Sequence, residues 1–340
     1  MSHQIETSAL TKRFRELRSY RDIVRYPWRT AEKVAVDGIS ITVGSGEVFG
    51  VLGQNGAGKT TFIRMISTSL LPTSGSARVG GHDVVSDAHR VRQLIGLVGG
   101  EERSFEGRLS GRENLEFFAA LQRVPRDVAR RRIDELFRRL DLAGSAHRLF
   151  ENYSAGMRQK MAIARGLVSE PEVLFMDEPT RALDPISARE VRDLVAEYVV
   201  GELHRTVVLA THSLKEAEEL CDRLVLIKTG RVIAGGTVDE LRRSITAGVR
   251  CELRLSSLPE GLLETLHELP GVLALESGID GGLPVLQLTL TEDGPALASV
   301  LRETVEAGAD VYGCTVREPS LEDVYVEHLG SREALSEVQL

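Results

Sequence analysis

The stretch "GQNGAGKTT", residues 53–61, follows directly on the apolar run "EVFGVL". Glycine weakens strand and helix interiors alike, yet Gly53, Gly56 and Gly58 stand where a strand should hand over to a helix. The run before them predicts a buried strand, and "FIRMISTSL" after them predicts a helix. The glycines permit positive φ and close approach of the backbone. The first amides of the helix lack intrahelical partners and face the turn. Together with the helix dipole they form a cradle for an anion. Gly53, Gly58, Lys59 and Thr60 fit the phosphate-binding pattern GxxxxGK[ST]. In this reading Gln54, Asn55, Gly56, Ala57 and Thr61 complete the loop, Lys59 reaches the β- and γ-phosphates, and the Thr60 hydroxyl binds Mg²⁺.

A chain of 340 residues exceeds one small core and predicts two domains. A formal net charge of -8 argues against a dedicated nucleic-acid binder. Cys221, Cys251 and Cys314 are far apart in sequence and have no CxxC spacing, which points to reduced thiols rather than disulfides or zinc. No run approaches the ~18 apolar residues of a membrane span, and the first residues hold no apolar stretch of signal-peptide length. Any work at a membrane is therefore expected to need a separate spanning partner.

Three further segments suit a phosphate site. "EVLFMDEPT", residues 172–180, is an apolar run closed by two acids. It predicts a buried parallel strand with Asp177 placed to hold Mg²⁺ through water. Glu178 is placed to orient or deprotonate the attacking water; a solvated acidic turn is the plain alternative. "TVVLATHSLKEAEEL", residues 206–220, repeats the plan and sets His212 before a helix, where it could contact a γ-phosphate. In "ENYSAGMRQKMAIARGLVSEP", residues 151–171, Ser154 and Gly156 open a helix. That start is either a second anion-ready terminus or simply a serine cap.

In order and approximate spacing, the phosphate loop, "YSAGM", "LFMDEPT", "RALDP" and "THS" resemble the ATPase subunit of ABC transporters over residues 5–240. The resemblance implies an α/β P-loop NTPase fold of ABC type with a helical subdomain within 100–165, and a site for ATP and Mg²⁺. It implies that two such domains pair head to tail, as a homodimer, with each ATP held between one loop and the partner's "YSAGM" helix. Ser154 and Gly156 would then touch the γ-phosphate held by the other subunit, and Asp184 would lie at the seam. It also implies a membrane-spanning permease subunit and a place on the cytoplasmic face of a bacterial membrane.

The chain departs from this pattern in places. The family's LSGGQ reads "YSAGM", with Ala155 and Met157, and "RALDP" carries Arg181 and Ala182. Where a glutamine usually follows the strand of "IGLVGGEERSF", Gly100 stands, followed by Glu101 and Glu102. A carboxylate there could bind the metal, Glu101 or Glu102. Phe14 best matches the family's adenine-stacking aromatic, with Tyr20, Tyr26 and Trp28 as rivals. Residues 11–33 form an insertion with eight Lys or Arg against three acids, and Phe14, Leu17, Val24 and Trp28 read as a helical stripe. This basic segment is expected either near the inner membrane surface, against the partner's cytoplasmic face, or as a solvated loop. It resembles extensions of ATPases that export lipid-linked glycans.

Residues 114–142 read as helices, with Ile133, Leu136, Phe137 and Leu140 on one face. Residues 245–330 read as a βαββαβ unit of ferredoxin-like order. They end in "EPSLEDVYVEHLG", where Ser320 and Asp323 form a variant capping box. This tail resembles that of drug- and lipid-export ATPases of the ABC-2 type. The leading expectation is the ATP-hydrolysing subunit of such an exporter, moving a drug, lipid or lipid-linked glycan. The rivals are an ABC ATPase acting on ribosome or DNA, disfavoured by the single phosphate loop and acidic charge, and a poorly hydrolysing nucleotide-gated module.

Overall fold

The computed structural model describes residues 3–15, 32–99, 104–244, 248–291, 294–317 and 320–329. Residues 16–31 of the basic insertion, and Gly100, Glu101 and Glu102, lie outside the described residues. By its contacts the chain divides between Val238 and Asp239 into two units.

The first unit opens with β1 (His3–Arg15), β2 (Glu32–Ile39) and β3 (Thr42–Gly44), with β1 antiparallel to both. β4 (Val48–Leu52), buried throughout, leads through the glycine turn into α1 (Lys59–Ile66). β5 (Ser74–Val79) and β6 (His82–Asp83) complete an antiparallel sheet of order β2-β1-β5-β6, with β3 also on β1. α2 (Ala88–Leu94) then delivers β7 (Ile95–Gly99).

The next three helices are α3 (Gly111–Leu121), α4 (Arg126–Arg139) and α5 (Ala155–Leu167). A capping box starts α3: Ser110 Oγ accepts from the Glu113 amide at 3.2 Å, and Glu113 Oε2 accepts from the Ser110 amide at 2.7 Å. Pro125 stands just before α4, where its missing N–H is harmless. Ile133, Leu136, Phe137 and Leu140 are all buried, as the periodicity predicts.

After α5 the chain alternates: β8 (Val173–Asp177), α6 (Pro185–Leu194), β9 (Thr206–Thr211), α7 (Leu214–Leu220), β10 (Arg223–Lys228) and β11 (Arg231–Gly236). The second sheet has the order β11-β10-β4-β9-β8-β7. All its pairs are parallel except β10 with β11. Its inner parallel strands β4, β8 and β9 are almost wholly buried runs because a parallel sheet is covered on both faces. α1 unites the two sheets: Phe62, Met65 and Ile66 are fully buried among Ile5, Val43 and Val79 of the first sheet and Phe49, Phe175 and Val208 of the second.

β7 lies directly against α5. A Cβ on Gly96 would sit 2.1 Å from the Gly166 carbonyl oxygen and 2.8 Å from Leu174 Cδ1. The first neighbour is backbone and cannot turn aside. Gly96→Ala is therefore expected to lower stability by about 1–3 kcal/mol through overpacking, read as a lower denaturation midpoint at unchanged slope.

In the second unit, β12 (Val249–Leu255), α9 (Leu262–His267), β13 (Val272–Asp280), β14 (Leu283–Leu290), α10 (Gly294–Glu306) and β15 (Val311–Arg317) follow the short α8 (Val238–Ser244). The sheet order β13-β14-β12-β15, antiparallel throughout, is the ferredoxin-like arrangement. Leu262, Leu266 and Val300 of the helices close over Leu253, Leu286 and Leu288 of the sheet. α11 (Leu321–Leu329) begins at the Ser320–Asp323 box, where each side chain accepts the other's amide at 2.9 and 3.2 Å. Cys251 and Cys314, distant in sequence, bring their Sγ atoms to 3.8 Å as free thiols.

One expectation fails here. Phe14 does not begin a helical stripe, because it lies in β1, paired with Lys33 of β2. Cross-strand pairing through Arg13–Val34 and Arg15–Glu32 overrides the local periodicity. Leu17, Val24 and Trp28 lie outside the described residues.

Candidate active site

Three parallel strands end side by side. β4 ends at Leu52 opposite Thr211 of β9, and Asp177 of β8 stands opposite Ala210. The glycine turn leaves from this edge, the usual ligand-binding side of a parallel sheet. Gly58 is the residue before α1, at φ +110°. A Cβ there would lie 2.3 Å from the Ala35 carbonyl oxygen. Gly53 has no such φ, but its Cβ would lie 2.4 Å from the Ile227 carbonyl oxygen. The turn thus needs these two glycines to pass between neighbouring carbonyls, not only to admit a ligand. Gly56 is at φ +80° with open space around it, and Asn55 is exposed beside it.

Lys59 is 4 % exposed. Its ammonium donates to the carbonyls of Gly53 at 2.7 Å and Gln54 at 3.0 Å. Ala57, also buried, donates its amide to the Gln54 oxygen at 3.1 Å. Burial pushes the Lys59 pKa down, against the pull of Glu178 and Asp177. No side chain caps α1, so a buried cation and uncapped helix amides face one place, which fits a polyphosphate. Thr60 Oγ1 donates to Asp177 Oδ1 at 3.1 Å. Burial raises the Asp177 pKa, opposed by that hydrogen bond. A desolvated carboxylate beside a hydroxyl is a hard-oxygen donor set suited to Mg²⁺. Thr61, half-buried, follows in α1.

Glu178 stands at φ +50°, the left-handed region, a strain of about 1–3 kcal/mol of the kind found at functional sites. Its amide donates to the Ala210 carbonyl at 2.8 Å, which fixes the conformation. Around its carboxylate stand Arg181 Nη1 at 3.1 Å, His212 Nδ1 at 3.4 Å and Lys59 Nζ at 3.6 Å. His212 first, then Lys59 and Arg181, hold its pKa at about 2, despite partial burial. Arg181 is a contact that sequence reading noted only as a departure from pattern.

This shift carries a pH prediction. A carboxyl lowered from 4.5 to about 2 stabilises the fold fully above the higher value and loses that contribution as pH falls through the lower one. The stability gap between wild type and Glu178→Gln is expected to be full at neutral pH and to close as pH falls from 4.5 towards 2. Urea titrations across that range check it.

The other expected residues sit apart. Ser154, exposed, caps α5 by accepting the Met157 amide at 3.2 Å. Asp184 caps α6, accepting from the Ile186 and Ser187 amides at 3.1 Å each and from Ser187 Oγ at 2.7 Å. A Cβ on Gly156 would lie 2.9 Å from Ser187 Oγ, so Ser187 links Gly156 to Asp184. Among the described residues, no hydrogen bond or ion pair joins this group to Lys59, Asp177, Glu178 or His212. Phe14 is 40 % exposed in β1, with the Lys12 ammonium 5.3 Å above its ring. Glu101, Tyr20, Tyr26 and Trp28 lie outside the described residues.

A lysine-bearing turn on a central parallel strand, with an Asp–Glu pair closing the next strand but one, defines a P-loop nucleoside triphosphatase. Residues 36–181 match the ABC transporter family model, and residues 236–329 match the C-terminal domain of DrrA1-3-like ATP-binding proteins. The daunorubicin resistance ATP-binding protein DrrA3 of Streptomyces coeruleorubidus is 41 % identical over 310 residues, 91 % of this chain and 95 % of that one. A fluoroquinolones export ATP-binding protein of Mycobacterium tuberculosis (strain CDC 1551 / Oshkosh) is 35 % identical over 312 residues, 90 % of each. The structure of cbiO1 from Clostridium perfringens, part of the ABC transporter complex cbiONQ, is similar with a TM-score of 0.59 and 28 % identity over 72 % of this chain and 94 % of that one. The chain belongs to the ABC transporter family, as an ATP-binding subunit with a DrrA-like C-terminal domain. It is an ATPase, and subunits of this family work with membrane permeases and dimerise.

Proposed function

We propose that this ATPase powers a bacterial ABC-2 type exporter whose cargo is an amphipathic, drug-like molecule. The observation that carries the reading is the 41 % identity to a daunorubicin resistance subunit across 91 % of the chain, both units included. A second relative, named for fluoroquinolone export, spans 90 % of the chain. In this reading the spanning subunit is a separate permease; no helix among the described residues is long and apolar enough to cross a membrane. The ATPase works at the cytoplasmic face of that partner, as a pair of identical copies.

Within the site, Lys59 and the free amides of the glycine turn and of the first turn of α1 grip the phosphates, the Ala57 amide being held by the Gln54 carbonyl. Thr60 and Asp177 hold Mg²⁺, which neutralises phosphate charge. Glu178 orients and deprotonates the attacking water, while His212 supports Glu178 and faces the γ-phosphate. Ser154 and Gly156 close on the ATP of the partner copy, with Asp184 at the seam. Phe14 supplies a stacking face for adenine, and Glu101, outside the described residues, is the candidate for a further metal contact.

Co-expression with a six-span membrane protein from the adjacent gene, in a drug-sensitive host, tests the cargo. Efflux of an anthracycline or a fluoroquinolone that Lys59→Ala abolishes supports the drug reading. Lipid or glycan accumulation at the outer surface, with no drug efflux, replaces it.

A further inference from the structure

Glu216 lies on α7 and is 1 % exposed. Its carboxylate accepts two hydroxyl protons, from Thr180 Oγ1 on one oxygen and from Thr211 Oγ1 on the other. Thr180 lies just beyond Glu178, and Thr211 immediately precedes His212. The approach to α7 is set by the same residues. Thr211 Oγ1 accepts the Ser213 amide at 2.9 Å, which leaves its own proton for Glu216. Ser213 Oγ in turn accepts the Glu216 amide at 3.3 Å. Among the described residues no salt bridge reaches Glu216, so a buried carboxylate is held by neutral donors alone. Such burial is unfavourable without hydrogen bonds, and here each oxygen accepts one.

We infer that Glu216 is a positioning residue for ATP hydrolysis: it latches the loop that carries Glu178 to the turn that carries His212. This rests on the ATPase reading of the site. Glu178 and His212 come from different strands, and their side chains meet at 3.4 Å. Beyond the paired strands, the Glu178 amide ties the loop to the Ala210 carbonyl at 2.8 Å, and the Arg181 and Leu183 amides close the turn on the Glu178 and Thr180 carbonyls at 3.2 Å each. The two side-chain bonds converging on Glu216 add a tie from this turn and from the end of β9 to α7. Among the described residues no side-chain hydrogen bond joins Thr180 to Lys59 or the glycine turn, whereas the Thr211 carbonyl accepts the Gly53 amide at 3.4 Å; the Thr180 arm of the latch therefore bears on the chemical step and not on the grip of the phosphates.

The test uses the purified full-length chain, with ATP turnover and ATP affinity measured separately. Glu216→Ala and the near-isosteric Thr180→Val are each expected to lower kcat at least tenfold while the Kd for ATP stays within threefold. Adding Thr180→Val to Glu216→Ala is expected to cost little more, because the latch is already open. Glu216→Gln keeps one acceptor oxygen and is expected to recover part of the rate. Thr180→Val carries the test by itself should Glu216→Ala unfold. The latch is overturned by wild-type kcat in Thr180→Val, or by additive losses in the double variant. A wild-type chain that neither binds nor hydrolyses ATP removes the ATPase reading itself. Loss of turnover in Glu178→Gln with no effect at Thr180 or Glu216 removes the latch alone.

Discussion

Glu178→Gln is expected to lower ATP turnover by about a hundredfold to ten-thousandfold, the range that a positioned general base contributes. The substitution keeps side-chain length and removes only the charge. Glutamine cannot take a proton from water at any working pH, so the loss falls on kcat. Binding is a separate matter, because the groups proposed to grip the phosphates are Lys59, the uncapped amides of α1 and the turn. Removing a negative charge 3.6 Å from Lys59 leaves the cation with less competition for a phosphate. The Kd for ATP is therefore expected to stay level or tighten. Single-turnover phosphate release, set beside calorimetric binding, separates the two quantities. A turnover number within tenfold of wild type would assign the base elsewhere. With His212, Lys59 and Arg181 holding its pKa at about 2, Glu178 is unprotonated throughout the physiological range, as an acceptor of a water proton must be; a carboxylate held so low is a weak base, which weights its part towards orienting the water.

Much of this arrangement was legible in the sequence, and the reason is local. The strands Val48–Leu52, Val173–Asp177 and Thr206–Thr211 are short, mostly apolar runs, and each ends on or one residue before a candidate site residue, Gly53, Asp177 or His212. The serine before α5 and the Ser320–Asp323 box are caps, whose partners lie within three residues. What was not legible depends on residues distant in the chain. Phe14 is a strand residue because Lys33 pairs with it across a hairpin. Gly53 is required by the Ile227 carbonyl, which no motif mentions. Glu216 reads as one more charge on an acidic helix until the fold brings Thr180, 36 residues away, against it. Arg181 was visible as an oddity, but its ion pair with Glu178 depends on the left-handed backbone at Glu178, which a sequence does not display. The division of labour is physical: periodicity and capping encode elements, whereas long-range contacts decide what each functional side chain touches.

Lys59→Ala is expected to weaken ATP binding by about thirtyfold to several thousandfold. That corresponds to about 2–5 kcal/mol for truncating one member of a buried charge pair. The argument starts from what surrounds the ammonium. It is 4 % exposed, held by two carbonyl oxygens, and 3.6 Å from Glu178. Without it, two adjacent carboxylates, Asp177 and Glu178, face the incoming phosphates with one cation fewer. Like charges then repel at short range in a partly desolvated pocket, where screening is weak. The Gly53 and Gln54 carbonyls lose a donor as well, so the turn loses its internal tie. Lys59→Arg is expected to rescue little: the planar fork of a guanidinium does not reproduce a compact ammonium held by two carbonyls. Calorimetry with a nonhydrolysable ATP analogue and Mg²⁺ gives the affinity directly. Removing the metal from wild type is expected to weaken binding further through Thr60 and Asp177, whereas Lys59→Ala should show a smaller metal dependence because little grip remains. An unchanged Kd in Lys59→Ala would place the phosphates outside the glycine turn and detach the whole hydrolytic reading from this edge of the sheet.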